Sequence, residues 1–196
     1  MAIIEGHRQN VGTQTATPVR GAHEARANAV PEGNLTRPAG VVWAIARIAL
    51  GWIFLWAFLD KTFGWGFATP ADRAWIAGGS PTTGFLKGTG DHALGGLFGA
   101  LAGQAWVDWL FMTGLFGIGA ALVLGVGMRI AAVTGGLLLV LMWAAALPLT
   151  TNPFMDDHLV YAIVLAGLAL ANAGDTLGAG AAWGRTALVR RLPILK

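Results

Sequence analysis

Four long apolar runs, separated by polar segments, dominate the pattern of hydrophobic and polar positions along the chain. The runs cover about residues 41–59, 106–128, 130–149 and 155–173. A helix needs roughly 20 apolar residues to cross a bilayer, so each run predicts one membrane-spanning helix. The fourth run has the shortest charge-free core, residues 159–171, and a re-entrant helix is the alternative there. The pattern predicts an all-α integral membrane protein built as a four-transmembrane-helix bundle.

Polar or mixed segments flank and separate these runs. Residues 1–38 have few large apolar side chains, which predicts a disordered cytoplasmic tail before a transmembrane domain of residues 39–178. Residues 62–105 form a connection far longer than the roughly two to eight residues usual between packed helices. Aromatic and aliphatic residues are interleaved there with Gly and Pro, so we expect an external loop with interfacial helices, anchored by Trp75, Trp106 and Trp109. Residues 179–196 are predicted to form a basic cytoplasmic C-terminal tail.

Basic residues near the ends of the predicted spans lie mainly on one side of the membrane. That side holds Arg8, Arg20, Arg26, Arg37, Arg129, Arg185, Arg190, Arg191 and Lys196, whereas the other side holds Lys61, Arg73 and Lys87. Because short cytoplasmic segments are enriched in Lys and Arg, both termini are predicted to be cytoplasmic. The basic C-terminal stretch indicates proximity to anionic lipid headgroups, and it does not indicate nucleic-acid binding.

The composition excludes several classes of protein and cofactor. Hydrophobic residues make up 55% of the chain and charged residues 12%, against roughly a quarter charged in soluble domains, which excludes a water-soluble globular protein. The absence of cysteine excludes disulfides, thiolate metal sites and Cys-ligated iron–sulfur clusters. Haem is not expected, because no pair of histidines lies inside the predicted bundle. Asp156, Asp157 and His158 offer metal-ligand atoms, but adjacent residues on a helix do not face one point, so no metal site is predicted.

Arg47 is the one charged residue within the first run. A charge inside a span is costly, so this residue either has a function or extends along the helix to its own headgroup layer, and both alternatives stay open. At about 100° per residue it shares a stripe of the helix with Trp43, Gly51, Phe54, Phe58 and Lys61. Gly51 lies one turn away and lacks a side chain, which allows a neighbouring backbone or a flat ligand to approach.

Small residues are dense in the second and third runs. They are Gly114, Gly117, Ala120, Ala121 and Gly125 in one run and Ala131, Ala132, Gly135 and Gly136 in the other. Such residues let membrane helices pack closely, so a structural role is predicted for them.

Polar residues of the first and fourth helices are predicted to meet near the outer surface. His158 and Tyr161 share a stripe of the fourth helix with Leu165 and Asn172, and Asp60 and Lys61 end the first helix at a similar depth. A quinone needs a flat apolar slot with aromatic walls and a proton donor or acceptor near each carbonyl. We therefore predict that His158 and Asp157 transfer protons. The residues predicted to bind the quinone are Arg47, Lys61, Phe58, Trp143 and Tyr161. The alternative is that the charged residues only cap helices and pair with one another.

Several of these positions resemble a known family of small bacterial membrane proteins. The early arginine, the phenylalanine-rich outer half and the lysine of the first span, with the Gly–Asp after the last span, resemble the DoxX/DoxD family; these residues are Arg47, Phe54, Phe58, Lys61, Gly174 and Asp175. The resemblance covers about residues 40–178. The sequence LDKTFGWGFATPADRAWIAGGSPTTGFL resembles in particular the DoxD-like subunit of a thiosulfate:quinone oxidoreductase. It implies a protein of the bacterial plasma membrane that passes electrons from thiosulfate or another small sulfur compound to membrane quinone.

A second interpretation makes the chain a non-catalytic accessory subunit of a respiratory or redox complex. The chain has no cysteine and no self-contained redox site, so a protein partner subunit is expected in either case, together with membrane lipids and a homo-oligomer as a further association. A small-molecule or lipid carrier is disfavoured, because only one charge lies within the spans and no inverted repeat is visible.

Overall fold

The computed structural model describes residues 37–150 and 152–196, which form helices joined by turns, with no strand among them. Three of these helices are long and apolar enough to cross a membrane: α1 (Arg37–Phe63), α4 (Ala105–Leu124) and α5 (Met128–Ala145). The shorter helices are α2 (Thr83–Gly88), α3 (Gly95–Gly99), α6 (Asp157–Leu170), α7 (Gly180–Trp183) and α8 (Ala187–Arg191). The prediction of an all-α protein is confirmed for the described residues, and three of its helices have the length and apolar composition of membrane spans.

The helix boundaries differ from the predicted spans at several ends. Residues 1–36 of the predicted disordered tail lie outside the described residues, whereas Arg37 and Pro38 belong to α1, where proline is tolerated in the first turn. The second span was predicted to reach residue 128, but α4 stops at Leu124 because Gly125 adopts a left-handed backbone, with φ of 74°. The third helix, α5, ends four positions earlier than the predicted residue 149, ahead of Pro148.

The four longer helices pack around one apolar core. α1 lies along α4 and α5 lies along α6, while α4 also contacts α5 and a smaller contact joins α1 to α6. The fully buried members of the core are Met112, Leu122, Leu165 and Leu168. Large apolar side chains on the opposite faces are exposed, among them Val133 at 72% and Leu170 at 85%. An apolar core with an apolar outer face is the arrangement of a helix unit surrounded by lipid.

Two glycines account for the close approach of the helices. A Cβ atom at Gly119 would lie 2.8 Å from the Leu55 backbone nitrogen and 3.0 Å from the Gly51 carbonyl oxygen, so α1 and α4 meet backbone to backbone there. A Cβ at Gly135 would lie 2.8 Å from Leu165, where α5 meets α6. Gly114, Gly117 and Gly136, predicted as packing positions, have open space at the Cβ position. The density of small residues therefore did not predict Gly119, which makes the close contact between α1 and α4.

Residues 64–104 fold back onto the helix ends through two buried carboxylates. Asp60, 1% exposed at the end of α1, accepts hydrogen bonds from the backbone nitrogens of Phe67 and Ala68, at 3.4 and 3.0 Å. Asp108, 8% exposed in the first turn of α4, accepts from Ser80 Oγ at 2.9 Å and from Thr82 Oγ1 and N at 2.6 and 3.1 Å. The position of Asp108 also places a negative charge at the positive end of the α4 dipole.

A third attachment joins this segment to the end of α5. His92 Nδ1 lies 2.8 Å from the Ala145 carbonyl oxygen, and the Ala93 amide donates to the Leu147 carbonyl at 3.0 Å. Leu86 and Phe98, from α2 and α3, pack with Ala145 in a small second core. The long predicted loop is therefore a folded element with short helices.

We expect Asp108→Ala to loosen residues 78–104 while the long helices stay folded. The substitution leaves the Thr82 amide and hydroxyl and the Ser80 hydroxyl without their acceptor, at a cost of about 1–3 kcal/mol. Hydrogen exchange and limited proteolysis of the detergent-solubilised protein measure this as faster exchange and cleavage within the segment. Asp72→Ala removes an exposed carboxylate elsewhere in residues 64–104 and serves as the control. Equal protection in the two variants would contradict the assigned role of Asp108.

Candidate functional site

The outer cluster, which comprises Asp156, Asp157 and His158, lies where α6 begins. Asp156 is the N-cap of α6, and its side chain accepts a hydrogen bond from the Leu159 amide at 3.2 Å. His158 Nδ1 lies 2.7 Å from Asp156 Oδ2 and 3.5 Å from Asp157 Oδ1. Asp156 is therefore the closer carboxylate partner of the histidine, although the sequence analysis assigned that role to Asp157.

The geometry of the outer cluster suits proton transfer. The His158 side chain is 24% exposed and that of Asp156 is 15% exposed, so a small part of each side chain is accessible and the rest is packed against the protein. A carboxylate bonded to one ring nitrogen fixes the orientation of an imidazole and leaves the second nitrogen to exchange a proton. Asp157, 67% exposed, contributes charge but no comparable contact.

The aromatic residues predicted to bind a quinone are half-buried near this end of the protein. Trp143 Nε1 donates to the Phe154 carbonyl oxygen at 2.7 Å, which ties α5 to the segment that leads into α6. Tyr161 and Phe58 both pack against the main core, and the Phe58 ring centroid lies 5.2 Å from that of Phe116. These side chains therefore belong partly to the packing of the helices.

Lys61 follows the buried Asp60 at the end of α1 and is itself half-buried. The hydrogen bonds and ion pairs among residues 37–150 and 152–196 include none between Lys61 and His158. The structure therefore joins His158 to Asp157 and Asp156, and the predicted partnership across to Lys61 remains a prediction.

Arg47 lies in the opposite half of α1, and its side chain is completely buried. One terminal nitrogen donates to the carbonyl oxygens of Leu122 and, at 2.9 Å, Val123. The other donates to the carbonyl oxygens of Leu177 at 2.8 Å and Thr176 at 3.4 Å. Arg47 thus joins α1 to two other segments through backbone acceptors, and its guanidinium is enclosed by protein next to the turn between α4 and α5.

These contacts complete the C-terminal end of α4. The last four carbonyl oxygens of an α-helix receive no hydrogen bond from the helix itself, so each needs a donor from elsewhere. The Gly125 and Val126 amides both donate to Ala121, and the Ala179 amide donates to Leu124 at 2.8 Å. The carbonyls of Leu122 and Val123 accept from the Arg47 guanidinium, and Leu122 also accepts from the Gly125 amide at 3.2 Å. The positive charge of Arg47 matches the negative end of the helix dipole.

The inner junction, defined as Arg47 with residues 122–125 and 174–178, is also closed by a glycine pair. A Cβ atom at Gly174 would clash with the Gly125 carbonyl oxygen, so the two backbones are in direct contact. Arg47 contacts Thr176 and Leu177, which directly follow Asp175 in the chain. Asp175 instead pairs with Lys196, at 3.2 Å.

The C-terminal segment, predicted as a tail, is folded against the start of α5. The Arg129 amide donates to the Lys196 carbonyl at 3.2 Å, and the Arg129 guanidinium donates to Pro193 at the same distance. Trp183 Nε1 donates to the Leu195 carbonyl at 2.6 Å. Apart from its basic residues, nothing in the sequence of this segment predicts that it folds back onto α5.

The outer cluster also brings three metal-ligand atoms together. One atom each from Asp156, Asp157 and His158 lies within 4.8 Å of the others. The three residues were predicted to be successive positions of a helix. Asp156 instead precedes the helix as its N-cap, and its side chain accepts a hydrogen bond from the Leu159 amide in the first turn. Part of the reasoning against a metal was therefore wrong, although the N-cap and histidine contacts explain the cluster without an ion.

Comparison with known proteins assigns no role to these residues, so the description of the site depends on its geometry. Residues of the resemblance described above occupy structural positions, since Arg47 and Gly174 both build the inner junction. No protein-family model, no curated protein and no solved structure matches the chain.

Proposed function

We propose that the chain crosses the bacterial plasma membrane four times with both termini in the cytoplasm. Three helices have the required length, and α6 with its 14 residues covers about 21 Å, which a locally thinned bilayer and the polar ends of the helix accommodate. The basic residues at the Arg47 end of the protein support this orientation through the positive-inside rule.

Reporter fusions test this topology. We expect a reporter that is active only in the periplasm to work at Gly90 and to be silent after Lys196. A reporter that is active only in the cytoplasm is the matched control and shows the opposite pattern. Periplasmic activity at Lys196 together with silence at Gly90 would reverse the orientation.

We propose that the protein is a DoxX/DoxD-like membrane subunit of a quinone-linked oxidoreductase. In this role it passes electrons from thiosulfate or another small sulfur compound to membrane quinone, with a partner subunit supplying the redox centre. The observation that carries the proposal is the His158–Asp156 pair at 2.7 Å, next to the half-buried Tyr161 and the Trp143–Phe154 contact. Such a pair supplies the proton that quinone reduction consumes at each carbonyl oxygen.

The composition of the purified complex tests this role. The protein is extracted in a mild detergent, and co-eluting proteins and quinone are identified. We expect bound quinone together with a partner that carries a redox centre. A stoichiometric respiratory enzyme without quinone on this subunit would instead favour the accessory role.

We expect His158→Ala to lower quinone binding or quinone reduction and to change its pH dependence, because the variant lacks the imidazole that exchanges protons at this position. The control is His92→Ala, which removes a histidine that contacts the Ala145 carbonyl and lies outside the outer cluster. Quinone binding and pH profile are measured beside thermal stability for both variants. Lower stability with wild-type quinone binding in His158→Ala would show that this histidine is structural.

A non-catalytic accessory subunit is the second candidate, and two observations favour it. The terminal nitrogens of Arg47 already donate to backbone carbonyls. Its Nε has no hydrogen-bond partner among the described residues but is buried, so this side chain offers a cofactor no accessible donor. Residues 64–104 present large exposed apolar side chains, including Phe67 at 75% and Ile76 at 68%, which suits contact with lipid or another protein chain.

A further inference from the structure

A shallow cleft lies at the Arg47 end of the protein, where α4 turns into α5. Its lining includes Arg129, Asn172, Asp175, Trp183 and Lys196. The Arg129 side chain is exposed and uses one nitrogen for the Pro193 carbonyl, which leaves its other donors directed to the surroundings. Lys196 pairs with Asp175, but both side chains are 36% exposed, so this ion pair is weak and open to exchange.

The chain segment beside the cleft combines positive charge with exposed apolar side chains. Residues 180–196 contain Arg185, Arg190, Arg191 and Lys196 and no acidic residue. Leu188, Leu192 and Ile194 in the same segment are 51%, 52% and 66% exposed. A free anion makes no use of apolar groups, whereas a lipid offers a charged headgroup and acyl chains to the two kinds of side chain.

The cleft is placed at the depth of lipid headgroups. α4 and α5 are both long enough to cross the bilayer, so the connection at residues 125–127 lies at a membrane surface. The first turn of α5 also carries no acidic residue, and the positive end of its dipole therefore reinforces the attraction for an anion.

We infer that this cleft binds the phosphate of an anionic phospholipid, with Arg129 as the main ligand and Lys196 as a second cation. The guanidinium presents paired donors that match phosphate oxygens, and the apolar side chains of the C-terminal segment contact the acyl region. The inference requires membrane insertion and is independent of any redox role.

Lipid binding to the purified protein in a neutral detergent tests the inference. Phosphatidylglycerol and phosphatidylcholine are titrated separately, and bound lipid is counted by native mass spectrometry and by the rise in thermal unfolding temperature. We expect preferential binding of phosphatidylglycerol. Arg129→Gln should weaken it about fivefold, the effect of one basic residue at a lipid surface, whereas Arg129→Lys retains most of the affinity.

Arg73→Gln removes an exposed arginine outside the cleft and is the control for net charge. The inference is overturned if the two lipids bind equally, or if Arg129→Gln behaves like Arg73→Gln. Millimolar inorganic phosphate is added in a separate arm, and full competition there would overturn the lipid assignment in favour of a free-phosphate site. If the Gln variant unfolds, Arg129→Lys keeps the test decisive, because it retains the positive charge. A Lys variant that binds phosphatidylglycerol and phosphatidylcholine equally would overturn the inference.

Discussion

Arg47→Leu is expected to cost about 3–5 kcal/mol of stability, because it leaves buried carbonyls without a donor. The largest losses fall on the carbonyl of Val123, in the last turn of α4, and on that of Leu177, in the segment after α6. Leucine fills part of the volume but donates no hydrogen bond, so both the end of α4 and the 176–178 segment lose their attachment. Thermal unfolding of the detergent-solubilised protein, followed by size-exclusion chromatography, measures the effect.

Arg47→Lys is expected to fall between the wild type and the Leu variant. An ammonium keeps the charge but lacks the planar fork with which Arg47 serves two segments at once. Arg73→Leu removes an exposed arginine and is the control, with a change within about 0.5 kcal/mol. Wild-type stability in Arg47→Leu combined with loss of quinone binding would contradict the structural role and support the cofactor-binding one.

Gly119→Ala is expected to destabilise the protein by about 1–3 kcal/mol by separating α1 from α4. The new Cβ would lie 2.8 Å from the Leu55 nitrogen and 3.0 Å from the Gly51 carbonyl, and backbone atoms have no rotamer with which to move aside. Thermal unfolding measures the loss, and a cross-link between cysteines introduced on the two helices reports their separation.

Gly117→Ala is the matched control, since it makes the same substitution two residues away on the same helix. Its Cβ would meet nothing within 4 Å, so the higher helix propensity of alanine should leave stability unchanged or raise it by up to about 1 kcal/mol. Equal losses in the two variants would mean that helix propensity in the membrane, and not the crossing, determines the result.

The hydrophobic pattern predicted the helical class and located all four longer helices, because apolar runs of this length have few alternatives. It placed the helix ends less well. Gly125 ends α4 through a positive φ, and glycines that pack helices, such as Gly119, look the same in sequence as glycines that end them.

The environment of Arg47 was not predictable in the same way. Its acceptors are backbone carbonyls 75 and 130 positions away in the chain, and every residue carries a carbonyl, so side-chain identity gives no signal for the contact. His158 and its acidic neighbours were recognised because they are adjacent in sequence. The choice of Asp156 over Asp157 depended on which carboxylate caps α6, a distinction that requires the start of the helix to within one residue.

The acceptors of Arg47 also set an order on biogenesis. α1 is synthesised before its hydrogen-bond acceptors, because Leu122 lies 75 positions and Leu177 lies 130 positions after Arg47 in the chain. A nascent α1 therefore meets the bilayer with an unpaired guanidinium. The cost is below the roughly 2.5–3.5 kcal/mol that insertion scales give for arginine at the centre of a span, because Arg47 lies nearer to one end of α1. The strongly apolar remainder of α1, or the insertion machinery, therefore has to retain this helix until residues 122–123 and 176–177 are synthesised and accept hydrogen bonds from Arg47.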